Sequence, residues 1–321
     1  MSGLYPQISP YEHGALEVGD GNLVYWEVSG NPRGKPAVVL HGGPGSGCTP
    51  WRRRLFDPAA YRVVLFDQRN CGRSTPHASA ADTDLSSNNT ANLIEDIELL
   101  RQHLHVDRWL VAGGSWGSIL ALAYAEAYPT RVTQMILWGA ATGRHKEFDW
   151  LFRGGIAILF PEQWERLRAG VPAVEGDRDV VEAYYLLLND PDRAIREQAA
   201  LAWCTWESAT PAWPPAQGLS RRFGDPAFAM AYARIVTHYV RHNAWLGDER
   251  LLRGASALAE IPGVIVNGRF DFQAPIGWAW DRKRAWPSAE YVIADNAGHD
   301  ASAGDIADEL IRATDQFATR R

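Results

Sequence analysis

Short apolar runs bounded by turn residues recur towards both ends of the chain. Such runs predict buried β-strands, and longer segments between them carry apolar residues at helical spacing, as in residues 92–103 and 305–317. Residues 16–28 predict two further strands joined by a turn at residues 20–22. The apolar runs lie at residues 37–40, 62–66, 109–112, 134–138, 263–267 and 290–294.

Alternation of strands and helices predicts an α/β fold, in which helices cover both faces of a mostly parallel sheet. The alternation stops between residues 142 and 256, where the pattern is helical and interrupted by prolines. We therefore predict a core made of residues 1–141 and 257–321, with an inserted helical cap at residues 142–256. The insertion follows a strand on the same side as the glycine-rich turn described below, so the cap is expected to cover that turn.

Composition narrows the classes of function. Of the 321 residues 46% are apolar, which is ample for a sizeable core, and the formal net charge of −6 provides no basic surface for nucleic acid. No apolar run reaches the length of a membrane span, and residues 1–11 lack the apolar centre of a signal peptide. We expect a cytoplasmic protein without a nucleic-acid or membrane partner. Its three cysteines form no metal or redox motif, so no metal or cofactor is expected, and its oligomeric state stays open.

Residues 113–117 read Gly-Gly-Ser-Trp-Gly, with a predicted strand before them and a long apolar helix after them. The spacing Gly-x-Ser-x-Gly in this setting is typical of a nucleophile elbow. In such an elbow a strained turn lifts the serine above the sheet, and the following helix aims its first N–H groups at a developing oxyanion. Ser115 is therefore predicted to be the nucleophile of a serine hydrolase.

A serine nucleophile needs a base, and that base needs an acid to orient it. In α/β-hydrolases the acid and then the histidine follow the serine, each in a loop after a late strand. Asp271 and His299 occupy those places. Asp281 falls in a predicted helix, and Asp295 and Asp300 lie too near the histidine in sequence, so Asp271 is the favoured acid.

An oxyanion hole needs two backbone donors. Trp116, the residue after the nucleophile, is predicted to supply one N–H group. The second is expected from the glycine-rich loop at residues 41–45, and hence from Gly43 or Gly42. A phosphate-binding loop is disfavoured because no Lys-Ser/Thr pair follows, and His41 is expected to brace the loop.

These stretches together resemble the proline iminopeptidases, α/β-hydrolases that release N-terminal proline. The resemblance covers nearly the whole chain, including the cap, and it implies the same triad of Ser115, Asp271 and His299. The matching segments are His-Gly-Gly-Pro-Gly at 41–45, Phe-Asp-Gln-Arg at 66–69, Cys-Gly-Arg-Ser at 71–74, Gly-Gly-Ser-Trp-Gly-Ser at 113–118, Phe-Pro-Glu at 160–162, Trp-Cys-Thr-Trp-Glu at 203–207, Ala-Arg-Ile at 233–235, Gly-Arg-Phe-Asp at 268–271 and Ala-Gly-His at 297–299.

The resemblance implies that glutamates of the cap hold the free amino group of the substrate. Glu207 matches the first of them, and Trp206 stands beside it on the predicted helix. With Trp203 they form one helix face of two rings and a carboxylate, which suits a small ammonium ion but is equally typical of a packed aromatic stripe. The second glutamate is replaced by Val236, which cannot hold an amine. Whether another cap acid, such as Glu147 or Asp149, replaces it is open.

A second departure concerns the pocket for the proline ring. The family has an arginine and an aromatic residue after the strand at 134–138, where this chain has Trp138 and Ala141. We expect the smaller Ala141 to enlarge or reshape that pocket. Both departures fall in the predicted substrate site and spare the predicted triad.

The residues and the resemblance together indicate a serine hydrolase that acts through an acyl-enzyme. We expect it to cleave an N-terminal residue, proline or another small one, from short peptides or amino-acid amides. Because Val236 and Ala141 weaken the preference for a cation, the alternative is an ester, thioester or lactone hydrolase, or an acyl-transferring enzyme of specialised metabolism. A non-catalytic binding protein of the same fold is disfavoured by the complete triad.

Overall fold

The computed structural model describes residues 3–171, 179–211 and 218–319. Eight strands form one sheet: β1 (Glu12–Glu17), β2 (Leu23–Gly30), β3 (Lys35–Leu40), β4 (Tyr61–Phe66), β5 (Trp109–Gly114), β6 (Val132–Trp138), β7 (Gly263–Gly268) and β8 (Glu290–Ala294). Their order in the sheet is β1-β2-β4-β3-β5-β6-β7-β8. The pairs β1–β2 and β2–β4 are antiparallel and all the others are parallel, so the predicted mostly parallel sheet is confirmed.

The sheet is flanked by α1 (Thr90–His103), α2 (Trp116–Ala127), α9 (Ile276–Ala285) and α10 (Gly304–Ala318). Between β6 and β7 the described residues form the remaining α-helices. They are α3 (His145–Phe152), α4 (Pro161–Ala169), α5 (Val180–Leu188), α6 (Arg193–Ala209), α7 (Pro226–Arg241) and α8 (Arg250–Arg253). Within the described part of the chain, no helix has both the length and the apolar character to cross a membrane.

The central parallel strands are mostly apolar because both of their faces are buried, whereas β8 at the edge of the sheet is only partly buried. Side chains alternate across a strand, so Val38 and Leu40 of β3 join one hydrophobic cluster with α1 and α2. Ala37 and Val39 join a second cluster on the opposite face, where α10 packs. This burial on both faces explains why short apolar runs in the sequence predicted the positions of these strands.

Several element boundaries differ from the sequence prediction by one or two residues, and the start of β1 differs by four. β1 begins at Glu12, earlier than expected, and its residues are mostly exposed, so it lacks a strong apolar pattern. α1 begins at Thr90, where the side chain of Asn89 accepts a hydrogen bond from the Asn92 N–H and caps the helix.

Candidate active site

Ser115 occupies a sharp turn between β5 and α2, with φ 55° and ψ −128°. A positive φ is unfavourable for any residue with a Cβ atom, so the surroundings must hold the turn in place. A Cβ atom at Gly113 would come within 2.2 Å of the Gly117 carbonyl oxygen, and one at Gly117 within 2.2 Å of the Leu40 carbonyl oxygen. The two flanking glycines therefore let the turn fit between β3 and α2.

His299 and Asp271 form a hydrogen-bonded pair. The distance from His299 Nδ1 to Asp271 Oδ2 is 2.8 Å, and the Asp271 side chain is fully buried. The Ala274 N–H donates to the other carboxylate oxygen over 2.8 Å. With Nδ1 held by Asp271, the second ring nitrogen of His299 is the one available to a substrate or a nucleophile.

Glycines at two strand ends allow the loops of this pair to meet. Gly268, the last residue of β7, lies so near the histidine loop that a Cβ atom would be 2.2 Å from the Gly298 carbonyl oxygen. Gly139 follows β6 with φ +48°, and its Cβ atom would be 2.9 Å from His299 Cε1 and 3.3 Å from Asp271 Oδ2. Any side chain at Gly139 would therefore press against the His–Asp pair.

The electrostatic environment of His299 favours its protonated form. Burial by itself lowers the pKa of His299, but the charge and hydrogen bond of Asp271, with smaller effects of Asp300 and Glu207, raise it above the ordinary 6.5. The imidazole can act as a base only above this raised pKa. A reaction that uses His299 as a base is thus expected to slow as the pH falls through it.

The glycine-rich loop after β3 lies against the turn of Ser115. A Cβ atom on Gly42 would be 3.3 Å from Ser115 Cβ, and Gly43 has φ +112°, a conformation that glycine adopts readily. Gly43 and Trp116 both line a cavity that also contains Ser115 and His299. Their part in an oxyanion hole stays a prediction.

A network of neutral hydrogen bonds fixes that loop. His41 is fully buried, and burial lowers its pKa to about 4, so the ring is neutral at physiological pH. Its Nδ1 contacts the Gly42 carbonyl oxygen at 2.9 Å, while Nε2 accepts the Gln68 N–H at 3.0 Å. The Gln68 side chain accepts the indole N–H of Trp116 at 3.0 Å. His41 and Gln68 thus tie the loop to the elbow.

Two cavities meet at Ser115 and His299, which line both. We call them the apolar cavity and the polar cavity. The apolar cavity is also lined by Ile119, Ala141, Phe148, Phe152, Val240 and Trp278. The polar cavity is also lined by Arg52, Trp138, Glu207, Arg222, Tyr232 and Asp300.

Glu207 projects from α6 into the polar cavity. The residue is only 6% exposed, and its Oε1 has no hydrogen-bond partner among the described residues. Burial raises the pKa of Glu207 to about 7, although nearby Tyr232, His299 and Trp203 act in the opposite direction. A buried carboxylate without a partner is costly, and a cationic group at this position would relieve that cost.

Comparisons with known proteins agree with this geometry. A family profile described as alpha/beta hydrolase fold matches residues 35–304. A probable proline iminopeptidase of Streptomyces coelicolor is 52% identical over 320 residues, which cover 98% of each protein. A proline iminopeptidase of Arabidopsis thaliana is 45% identical over 98% of this chain and 82% of its own. The chain belongs to the proline iminopeptidase family.

A solved proline iminopeptidase structure from Mycobacterium smegmatis superposes with a TM-score of 0.62 at 18% identity, over 96% of this chain and 97% of its own. At that identity the likeness shows the fold alone. Membership of the proline iminopeptidase family makes the chain a serine hydrolase, as the sequence predicted.

The proposed substrate residues differ in where they lie. Ala141 lines the apolar cavity and Trp138 the polar one. Trp206 is buried in the cap, where its indole packs against Trp164 and donates to the Leu151 carbonyl oxygen. Trp206 and Val236, among the described residues, do not line either cavity, so their part in substrate binding stays a prediction.

The two cap acids named as replacements for the family's second glutamate already have partners. Glu147 accepts hydrogen bonds from the backbone of Thr142 and Gly143 and from Arg144. Asp149 is exposed and paired with Arg153. Neither carboxylate is placed as Glu207 is, with a buried oxygen left unpartnered.

Several residues at the site were missed in the sequence. Gly139 carried a signal, since a glycine directly after a buried strand often marks a close approach. No pattern in the sequence marked Arg52, Arg222 or Tyr232 as site residues, because they reach the polar cavity from distant parts of the chain. Among residues 3–171, 179–211 and 218–319, no group of three or more His, Cys, Asp or Glu side chains is arranged to hold a metal ion.

Proposed function

We propose that the protein is a serine aminopeptidase that releases an N-terminal residue, proline or another small one, from short peptides or amino-acid amides. The buried Oε1 of Glu207, which has no hydrogen-bond partner among the described residues and belongs to a residue lining the same cavity as Ser115 and His299, is the observation that carries this proposal. An N-terminal ammonium group is the cation that this substrate class offers. The names of the related enzymes support the same substrate class.

In this proposal Ser115 Oγ attacks the carbonyl carbon of the first residue while His299 accepts the hydroxyl proton. Asp271 holds the imidazole by its Nδ1 and stabilises the imidazolium that forms. The N–H groups of Trp116 and Gly43 stabilise the oxyanion. The imidazolium then gives its proton to the leaving amine, and water, activated by the same histidine, releases the acyl group from Ser115.

Substrate binding would use both cavities. The apolar cavity would receive the side chain of the first residue, with Ala141 and Phe148 against it. Glu207 would hold the ammonium group from the polar side. With Val236 at the position of the family's second glutamate, a single carboxylate would carry this recognition.

The test compares prolyl, alanyl and leucyl 4-nitroanilides with the matching N-acetylated methyl esters. We expect the free-amine substrates to be preferred and Ser115→Ala to abolish turnover of both kinds. Glu207→Gln should lower kcat/KM for free-amine substrates by roughly tenfold to a hundredfold, since it removes a charge-assisted hydrogen bond. Turnover of acetylated esters should be unaffected by that change.

Glu126→Gln is the matched control for Glu207→Gln. Glu126 lies on α2, has a buried oxygen without a partner, and burial raises its pKa to about 7, as for Glu207. It does not line either cavity among the described residues, so its substitution should leave the substrate preference unchanged. Preference of the wild-type enzyme for acetylated esters would refute the aminopeptidase proposal and favour an esterase.

A further inference from the structure

We propose that Arg52 and Arg222 bind the C-terminal carboxylate of a short peptide substrate in the polar cavity. This inference rests on the proposed aminopeptidase function and narrows it. It specifies that the enzyme acts best on peptides whose free carboxylate reaches these two arginines. The residues that support it belong to the leaving-group side of the reaction, away from the apolar cavity.

Arg52 lies on a short 3₁₀ helix, Pro50–Leu55, and faces the polar cavity. Its Nη1 donates to Thr49 Oγ1 over 2.5 Å, and its guanidinium lies 5.0 Å from the ring centroid of Trp51. Its buried Nε has no hydrogen-bond partner among the described residues. A guanidinium has five N–H donors, so most of those on Arg52 are left for a ligand or solvent.

Arg222 reaches the same cavity from the cap, where it belongs to the 3₁₀ helix Arg221–Gly224. Its Nη2 donates to the Ser46 carbonyl oxygen, and its guanidinium lies 4.2 Å from the ring centroid of Phe228. Both arginines are thus held in place by neutral groups. Those contacts orient the guanidinium groups without neutralising their charge.

Two nearby arginines, by contrast, are paired with carboxylates. Arg53 and Arg73 both contact Glu27, and Arg73 also contacts Asp67. Among the described residues, no carboxylate oxygen lies within the 4.0 Å ion-pair distance of Arg52 or Arg222. Asp300 lines the cavity as well, and it too stays outside that distance.

The two guanidinium groups are close enough to affect one another. Burial and the charge of Arg222 lower the pKa of Arg52 to about 10, while Cys48 and the charge of Asp67 act in the opposite direction. Burial also lowers the pKa of Arg222, again against the charge of Asp67. Two cations that line one cavity without a carboxylate in contact favour an anionic ligand there. A carboxylate suits a guanidinium in particular, because its two oxygens match the paired N–H donors.

The cavity contains both charges that a short peptide requires. Glu207 offers an anion for the amino end, and Arg52 with Arg222 offers cations for the carboxyl end, while Ser115 and His299 line the same space. A C-terminal amide lacks this anion, and the carboxylate of a longer peptide lies farther from the scissile bond. The arrangement therefore selects short zwitterionic peptides.

The experiment uses a series of prolyl peptides with one, two or three glycines after the proline, each as the free acid and as the C-terminal amide. Release of proline gives kcat/KM for each member with the wild-type enzyme. We expect the free acid to be preferred by about tenfold or more at one of these lengths at least, the usual effect of one to two charge-assisted hydrogen bonds.

Arg52→Gln and Arg222→Gln should each reduce this preference by lowering kcat/KM for the acid and sparing that for the amide. Using both variants guards against a folding defect in either one. Arg221→Gln is the matched control, because Arg221 is exposed like its neighbour Arg222 but, among the described residues, does not line the cavity. It should retain the full preference for the acid.

The outcomes separate this inference from the proposed function. If the wild-type enzyme cleaves acids and amides equally at every length, the carboxylate site is refuted and the aminopeptidase proposal stands. A preference that survives in both arginine variants refutes the site as well. If no prolyl peptide is cleaved but acetylated esters are, the aminopeptidase proposal fails, and this inference fails with it.

Discussion

At the scale of single residues, Glu207 and His299 are linked because both have a raised pKa and both line one cavity. Burial raises the pKa of Glu207 to about 7, and the pKa of His299 lies above 6.5. Glu207 must be ionised to attract an ammonium group, and His299 must be neutral to accept a proton. As the pH falls, Glu207 loses its charge and His299 becomes protonated. The loss of amine binding and the loss of base catalysis therefore combine at acidic pH.

We therefore predict that kcat/KM for a free-amine substrate falls steeply below pH 7, with a slope on the logarithmic plot that approaches two. The kcat/KM profile reports the free enzyme, in which both groups must be in the correct form. In Glu207→Gln only His299 remains, so the slope should approach one. The measurement is a pH profile of kcat/KM for a prolyl anilide.

An N-acetylated ester provides the internal control, since it has no ammonium group for Glu207 to hold. Its profile should have a slope near one in both the wild-type enzyme and Glu207→Gln. A wild-type slope near one for the anilide would contradict the assignment of Glu207 to amine binding. The assignment of His299 would be unaffected by that result.

At the scale of elements, the end of β6 controls the geometry of the His–Asp pair. Gly139 has φ +48° there, and a Cβ atom would stand 2.9 Å from His299 Cε1. We predict that Gly139→Ala lowers kcat by roughly ten- to a hundredfold, as small displacements of reacting groups commonly do. Steady-state kinetics and thermal unfolding of the same sample would check this.

Gly277→Ala is the control for that substitution. Gly277 lies in α9 with no atom near the Cβ position, and alanine favours a helix over glycine. It should leave kcat unchanged and slightly raise the thermal stability. If folded Gly139→Ala has a normal kcat, the His–Asp pair is either not catalytic or not confined by Gly139.

Local pattern predicted the elements well because the central parallel strands are buried on both faces and are bounded by turn residues. The order of the candidate residues along those strands also led to Asp271 and His299, which hydrogen-bond, and to Ser115, which lines the same cavities as His299. Their action as a triad stays a prediction. The contact of Gly139 with His299 was not predictable, because it joins loops that are distant in sequence. Only the three-dimensional packing of β6 against β7 brings them together.

Helix periodicity was less informative in the cap. Helical spacing placed Trp203, Trp206 and Glu207 on one face of α6. It could not show which residues pack against that face. Trp203 stacks on Phe152 and Trp206 packs on Trp164, so the rings fill the cap interior. Of the three, only Glu207 is among the residues that line the polar cavity.

At the scale of the whole molecule, the inserted helices and the sheet share the site through direct hydrogen bonds. The His299 N–H donates to the Pro211 carbonyl oxygen over 3.1 Å, and the indole of Trp150 donates to the Phe272 carbonyl oxygen over 2.8 Å. Both contacts join the insertion to a loop that carries Asp271 or His299. A sequence pattern cannot reveal such contacts, because each depends on how the insertion is oriented on the sheet.

Under the proposed function, Glu207 is placed for substrate binding at a cost to folding. A carboxyl group whose pKa rises from 4.5 when unfolded to about 7 when folded holds its proton more tightly in the native state. Its ionisation therefore destabilises the fold as the pH rises through that interval. Below the interval the carboxyl is protonated in both states, and the cost disappears.

We predict that the wild-type protein loses roughly 2 to 3 kcal/mol of unfolding free energy, relative to Glu207→Gln, between pH 5 and pH 8. Chemical denaturation of both proteins at the two pH values measures this difference, and titrations elsewhere in the molecule cancel because both proteins share them. A parallel change in the two proteins would mean that Glu207 ionises without a burial cost. In that event its charge would have to be compensated within the protein, and Glu207 would not need a substrate amine as its partner.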